Sequence, residues 1–236
     1  MPLQSIDSRR LYRQIADQLG QLIKRGDFRA GERLPAERDL AEQLGVSRPS
    51  VREALIALEV EGIVEVRGGS GVFVLDRAKP RRAEAPSTPP PGPFDLIQAR
   101  WIIESEAAFL AASHATPQQL QRMKAALDEM REAPTHSPQA TESDERFHLC
   151  IAEASGNAAL LLVIQQLWEL RTGPLYTQLE SHFSGEEIWR LAVVEHAELL
   201  TAITSRDPVA ARKAMRKHMK NAEIRFASSW RPDQDD

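Results

Sequence analysis

Six prolines fall between residues 80 and 93 (Pro80, Pro86, Pro89, Pro90, Pro91 and Pro93), and they constrain the fold more than any other stretch of this 236-residue chain. Proline fixes φ and has no N–H to donate, so such a run takes extended conformations and packs poorly. It reads as a semi-rigid linker over residues 78–94, between a module at 1–77 and another at 95–230. With 42% hydrophobic residues, the chain has ample material for real cores. The one cysteine, Cys150, allows no internal disulfide. It fits a reducing compartment, and its apolar helical surroundings suggest a buried thiol. Residues 1–10 lack the apolar core of a signal peptide, and the longest apolar run, 158–164, is too short to span a bilayer. The expectation is a cytoplasmic protein with no membrane partner.

The N-terminal module has the punctuation of a helical unit followed by a hairpin. Ser8 can cap a helix with Leu11, Ile15, Leu19 and Leu22 at helical spacing, and Gly26 can end it. Residues 35–44 read as a second, short helix. Gly45 and Val46 make a tight turn, and Ser47 caps a third helix running to about Val60. Two short helices joined by a glycine-containing turn, with small Ala41 where they touch, match a helix-turn-helix. Residues 63–66 and 72–74 then alternate as strands around a turn at 67–71, a wing beside the helices.

This arrangement suits DNA. The start of the third helix carries Ser47, Arg48, Ser50 and Arg52. A helix N-terminus presents free N–H groups to a phosphate, and a nearby arginine can grip guanine with two prongs. Arg38, on the preceding helix, faces the backbone or groove edge. Gly68 and Gly69 let the wing tip approach closely, and Arg67 can enter the minor groove. Bulk charge does not make the case. Residues 1–77 hold twelve basic and twelve acidic side chains, and the whole chain is at −4. The positive charge must be local, with two modules in a dimer supplying affinity that one lacks.

Beyond the linker helix follows helix, starting near Asp95, Pro117, Ser137, Asn157, Glu186 and Asp207, and no strand pattern interrupts them. The expected fold is mostly α: a winged helix-turn-helix of three helices plus a β-hairpin, then an all-α antiparallel bundle of six or seven helices. On the first bundle helix Leu96, Ile97, Ile102, Ile103, Phe109 and Leu110 are expected to face inward. Asp144 and His148 stand four apart and so share a helix face. His196 and His218 lie about equally far from a turn at 204–208, where Asp207 can cap and Pro208 begin the next helix, so an antiparallel hairpin sets them at one height. One carboxylate and three imidazoles form a transition-metal ligand set suited to zinc, nickel, manganese or iron(II). His114, His136 and His182 read as surface or loop residues without partners.

Two segments also resemble known families. Residues 34–41 (LPAERDLA) and 45–55 (GVSRPSVREAL) resemble the winged helix-turn-helix of the GntR superfamily of bacterial regulators. That resemblance implies DNA contacts by Arg38, Arg48 and Arg52, with Ser47 and Gly69 near the backbone or groove. Residues 94–100 (FDLIQAR), 144–148 (DERFH), Glu195-His196 and 217–219 (KHM) resemble the FCD ligand-binding domain of the FadR branch. Here the resemblance implies a divalent metal on Asp144, His148, His196 and His218, with a small organic acid beside it. It also makes Arg100 a candidate for the acid's carboxylate and Asn221 a candidate pocket residue. Within that branch, residues 94–100 are most similar to repressors of hexuronate (glucuronate and galacturonate) catabolism.

The expected protein is therefore a homodimeric regulator, a repressor by preference, that binds a palindromic operator in double-stranded DNA and answers to a small carboxylate effector. Two other functions remain open. A metal sensor would respond to the ion alone. A metal-dependent enzyme would need a general base, yet Glu145 and Glu195 point about 100° away from their ligand neighbours on a helix.

Overall fold

Tyr12, Ile15, Ala16, Leu19 and Ile23 bury one side of α1 (Leu11–Arg25) in the computed structural model, which describes residues 10–76, 89–135, 137–183 and 185–228. The expected stripe is displaced by about one residue. Leu11 is 48% exposed, and Tyr12 takes its place inside. The reason is amphipathic: the ring is buried while the hydroxyl donates to Pro90 O at 3.1 Å. The expected cap, Ser8, lies outside the described residues. Gly26 ends the helix at φ 88°, and the Asp27 N–H returns to Leu22 O at 3.1 Å.

α2 (Glu37–Leu44) stops at Gly45 with φ 66°, and Ser47 then caps α3 (Arg48–Val60) by accepting the Ser50 N–H at 3.3 Å. α3 packs against both α1 and α2. The wing follows as β1 (Val64–Arg67) and β2 (Gly71–Val74), antiparallel, with Val64 opposite Val74 and Val66 opposite Val72. These four valines are buried. A third extended segment joins the wing without having been expected from sequence. Leu34 N donates to Val72 O at 2.8 Å and Val74 N to Glu32 O at 2.9 Å. Gly71 sits beside this segment at φ 104°, a backbone conformation that L side chains rarely adopt.

The next helices are α4 (Pro93–His114), α5 (Pro117–Glu132), α6 (Pro138–Ala154), α7 (Ala158–Arg171), α8 (Pro174–Phe183), α9 (Glu186–Thr204) and α10 (Pro208–Ala227). Chain contacts divide the molecule into two units. One takes the described residues up to Pro93, together with Pro174–His182 and the residues from Ala227; the other takes Phe94–Gly173 and Phe183–Phe226. Nothing in the sequence marks α8 for the N-terminal unit. Residues 78–88 of the expected linker lie outside the described residues, and Pro93 already belongs to α4.

Two histidines expected to lack partners have them. His182, in the last turn of α8, meets Glu59 Oε2 at 2.6 Å, and Glu59 Oε1 accepts the Val66 N–H of the wing at 2.9 Å. His114 Nδ1 lies 3.0 Å from Ser155 O, beside the end of α6. Both bonds span more than forty positions, which local reading cannot detect. His136 lies outside the described residues.

In the second unit α5 packs against α6 and α9, and α6 also against α7. Met123, Leu127, Met130, Phe147, Ile151, Leu199, Ile203, Met215 and Met219 fill its core. Cys150 is buried beside them, and that burial pushes its thiol up, as its apolar neighbourhood suggested. α4 corrects one expectation. Leu96 and Ile97 are buried, but Ile102 is 52% exposed, while Arg100, Glu104 and Ser105 are inside with four alanines.

Candidate functional site

Five helices of the second unit each bring polar groups to one buried cluster. α6 contributes Asp144 and His148, α9 contributes Glu195 and His196, and α10 contributes His218, Asn221 and Arg225. α4 adds Arg100 and Glu104, and α7 adds Trp168 and Arg171. The three histidines are buried, and one nitrogen of each lies within 4.8 Å of the others. Asp207 accepts the Ala210 N–H at 2.9 Å, capping α10 as its spacing suggested. The rings of His196 and His218 consequently stand 4.3 Å apart.

Each imidazole is fixed through Nδ1. His148 Nδ1 donates to Glu104 Oε2, His196 Nδ1 to Ala192 O at 2.6 Å, and His218 Nδ1 to Glu195 Oε2 at 2.7 Å. With the proton on Nδ1, Nε2 carries a lone pair. His148 Nε2 and His196 Nε2 nonetheless face each other at 3.1 Å. Asp144 Oδ1 lies 2.9 Å from His196 Nε2 and 3.5 Å from His148 Nε2, and it is buried without a hydrogen-bond partner. Electron pairs aimed at one point suit a cation. Neighbouring ligands on an octahedral ion with bonds of about 2.1 Å stand roughly 3.0 Å apart, close to the two shortest separations. The residues present therefore fit a divalent metal.

The electrostatics agree. Burial lowers the His148 imidazole, and burial beside two further imidazoles lowers His218 to about 3, so both are neutral at neutral pH. Burial alone would raise Asp144, but the Arg171 guanidinium, whose Nη1 lies 2.7 Å from Asp144 Oδ2, holds it well below the usual carboxylate range. Burial would likewise raise Glu104 and Glu195. Arg100 and His148 hold the first at about 2, and His218 and Arg225 hold the second at about 2.

A pH dependence follows for chelated protein. The unfolded chain binds histidine protons near pH 6.5, whereas folded His218 resists until about 3, so the unfolded state gains protons first. Stability should fall as pH drops through that window, and the depressed carboxylates add loss between about 4.5 and 2. Melting temperatures of the chelated protein from about pH 8 down to pH 5 check this. A rise on acidification would contradict the assignment.

Arg100 lies 4% exposed in this cluster, its Nε donating to Glu104 Oε1 at 2.6 Å. Asn221 Nδ2 donates to Glu195 Oε1 at 2.8 Å, which places it among the groups that hold His218. Glu104, Trp168, Arg171 and Arg225 were not singled out from sequence. The Arg100/Glu104 spacing of four on one helix was the available signal.

The N-terminal unit carries the other candidates on α2, at the start of α3 and on the wing. Arg38 is open to solvent beside Asp39, and Arg48 is half-exposed. The Ser47 and Ser50 hydroxyls bond each other at 2.8 Å. Arg67 stacks on Phe73 at 4.6 Å and pairs with Glu65. Gly69, at φ 70°, forms the wing tip. Arg52 differs: its side chain is 1% exposed and held at both ends by Glu37, with Nε to Oε2 at 2.8 Å and Nη2 to Oε1 at 3.0 Å. Arg48 Nε reaches the same carboxylate at 3.1 Å, so Glu37 ties the two arginines together.

The family of bacterial regulatory proteins described as gntR matches residues 11–74, and the FCD domain matches residues 95–221. The chain belongs to the GntR family and carries an FCD domain. The Uxu operon transcriptional regulator of Escherichia coli is 39% identical over 225 residues, covering 93% of this chain and 88% of that protein. The Exu regulon transcriptional regulator of Escherichia coli is 37% identical over 225 residues, covering 92% and 85%. Among solved structures, Escherichia coli McbR/YncC aligns with a TM-score of 0.50 at 27% identity, over 92% of this chain and 98% of that one. This chain is accordingly a DNA-binding transcription regulator, in a family of regulators and not of enzymes. No described helix is long and apolar enough to cross a membrane.

Proposed function

We propose that the protein is a homodimeric, effector-released repressor whose sensor is a divalent metal held by Asp144, His148, His196 and His218. The observation that carries this reading is the convergence of lone pairs: two Nε2 atoms 3.1 Å apart, and an unpartnered, buried Asp144 Oδ1 beside them. When held by these four side chains, a divalent ion would supply a Lewis-acidic seat for a carboxylate and its neighbouring hydroxyl. Arg100 gives the charge to fix that carboxylate. Its Nη2 is buried without an acceptor. Hexuronates are the favoured effectors, because the relatives at 39% and 37% identity are named as Uxu and Exu regulators.

Arg38, Ser47, Arg48, Ser50, Arg67 and Gly69 form the DNA-reading surface, and Arg52 and Glu37 brace it. A dimer presents two such surfaces to a palindromic operator. Effector binding favours the arrangement that cannot reach both half-sites, so release follows from differential affinity.

The test is a thermal-shift screen of metal-quantified protein against hexuronates, hydroxy acids and dicarboxylates, repeated after chelation. At an acid concentration a hundred times Kd, stabilisation is about 2.7 kcal/mol, enough for a shift of several degrees. The expected result is such a shift with a hexuronate, lost on chelation. No shift with any acid, alongside a large loss of stability on chelation, would replace this reading with a structural or metal-sensing site.

A further inference from the structure

Beside the candidate metal ligands and Arg100, the buried indole of Trp168 stands out. Trp168 is 1% exposed, yet its Nε1–H meets no acceptor. An unsatisfied buried donor costs about 1–3 kcal/mol, and a phenylalanine ring would occupy such a place without it. The indole is held firmly. Arg100 Cζ lies 4.1 Å and Arg171 Cζ 4.5 Å from the ring. Each guanidinium is anchored in turn, Arg100 to Glu104 and Arg171 to Asp144. The ring also stands 5.1 Å, centroid to centroid, from His148, a candidate metal ligand. Two unpartnered donors, Trp168 Nε1 and Arg100 Nη2, therefore belong to one stacked pair beside the candidate metal centre.

We propose that Trp168 is a specificity-determining residue for the effector, its indole N–H donating to an oxygen of a hydroxylated carboxylic acid whose carboxylate is held by Arg100. This rests on the effector reading given above. Indole and guanidinium only donate, so the ligand edge facing them must be all acceptor. Carboxylate and hydroxyl oxygens satisfy that demand, and an ammonium does not. A site built around such a donor discriminates against an analogue that leaves it unpaired more sharply than an apolar pocket would.

The test is Trp168→Phe in the full-length, metal-loaded protein, titrated with D-glucuronate and D-galacturonate by calorimetry, with metal content and melting temperature measured on the same sample. Metal content should be unchanged and affinity for the hexuronate should fall about tenfold. A second measurement needs no variant: the indole ¹⁵N–¹H resonances of wild-type protein, which has four tryptophans, should show one moving strongly on addition of the acid. Wild-type affinity in Trp168→Phe, or four unmoved indole resonances in an acid-saturated sample, would overturn this role and leave the metal-borne effector site standing. Absence of binding to wild-type protein would instead bring down the hexuronate reading, and this inference with it.

Discussion

Arg48→Ala is expected to abolish specific operator binding while melting temperature and metal content stay at wild-type values. The Arg48 side chain is 46% exposed at the first position of α3, and its surface pair with Glu37 contributes under about 1 kcal/mol to stability. A two-pronged guanine contact provides about 1–3 kcal/mol, and a symmetric dimer loses it twice. The expected loss is roughly 2–6 kcal/mol, at least about thirtyfold in affinity. Arg52→Ala should abolish binding too, by another route. Its removal takes from partly buried Glu37 its closest partner, which costs about 1–3 kcal/mol, so the N-terminal unit itself is weakened. Anisotropy titrations at fixed salt against a site selected in vitro by the wild-type protein, with melting curves alongside, separate the two cases. Retained specific binding by both variants would sink the assignment of α3 as the reading helix.

The contrast between these arginines shows where sequence stops informing. Local signals are self-contained, and they were legible: glycine at a left-handed helix end, serine before a helix, valines alternating through the wing. The Asp144/His148 pair and the equal offsets of His196 and His218 from Asp207 are also local arithmetic, and they pointed to residues that the fold brings into one buried cluster. Glu37 lies eleven positions before Arg48, so nothing in the spacing assigns one arginine to solvent and the other to a buried carboxylate. Glu104 was missed for a related reason. Assigning the inner face of α4 by its apolar residues put Ile102 inside, whereas the helix turns Arg100 and Glu104 inward. Glu195 was judged by its neighbour His196, but it serves His218 from the adjacent helix. A chain's polar interior is decided by partners on other helices, and one sequence read locally does not contain them.

The three Nδ1 bonds give the second large prediction. His196→Ala should lose both metal and effector response while keeping DNA binding. His196 Nε2 is a proposed ligand atom that lies 3.1 Å from His148 Nε2 and 2.9 Å from Asp144 Oδ1, so its loss would open the middle of the set. Disturbing even an outer hydrogen bond of a metal site costs about 10–100-fold in affinity, and losing a ligand itself should exceed this. The N-terminal unit keeps its own helices and wing, so operator affinity should remain within a few-fold of wild type. A repressor that binds its operator and no longer lets go is the expected phenotype. Metal analysis after dialysis, operator titration and hexuronate-induced release measured on one preparation provide the check. Normal release by a hexuronate in His196→Ala would remove the metal from the sensing mechanism. Loss of operator binding together with metal would show that the ion supports the DNA-competent state, and release would then need another cause.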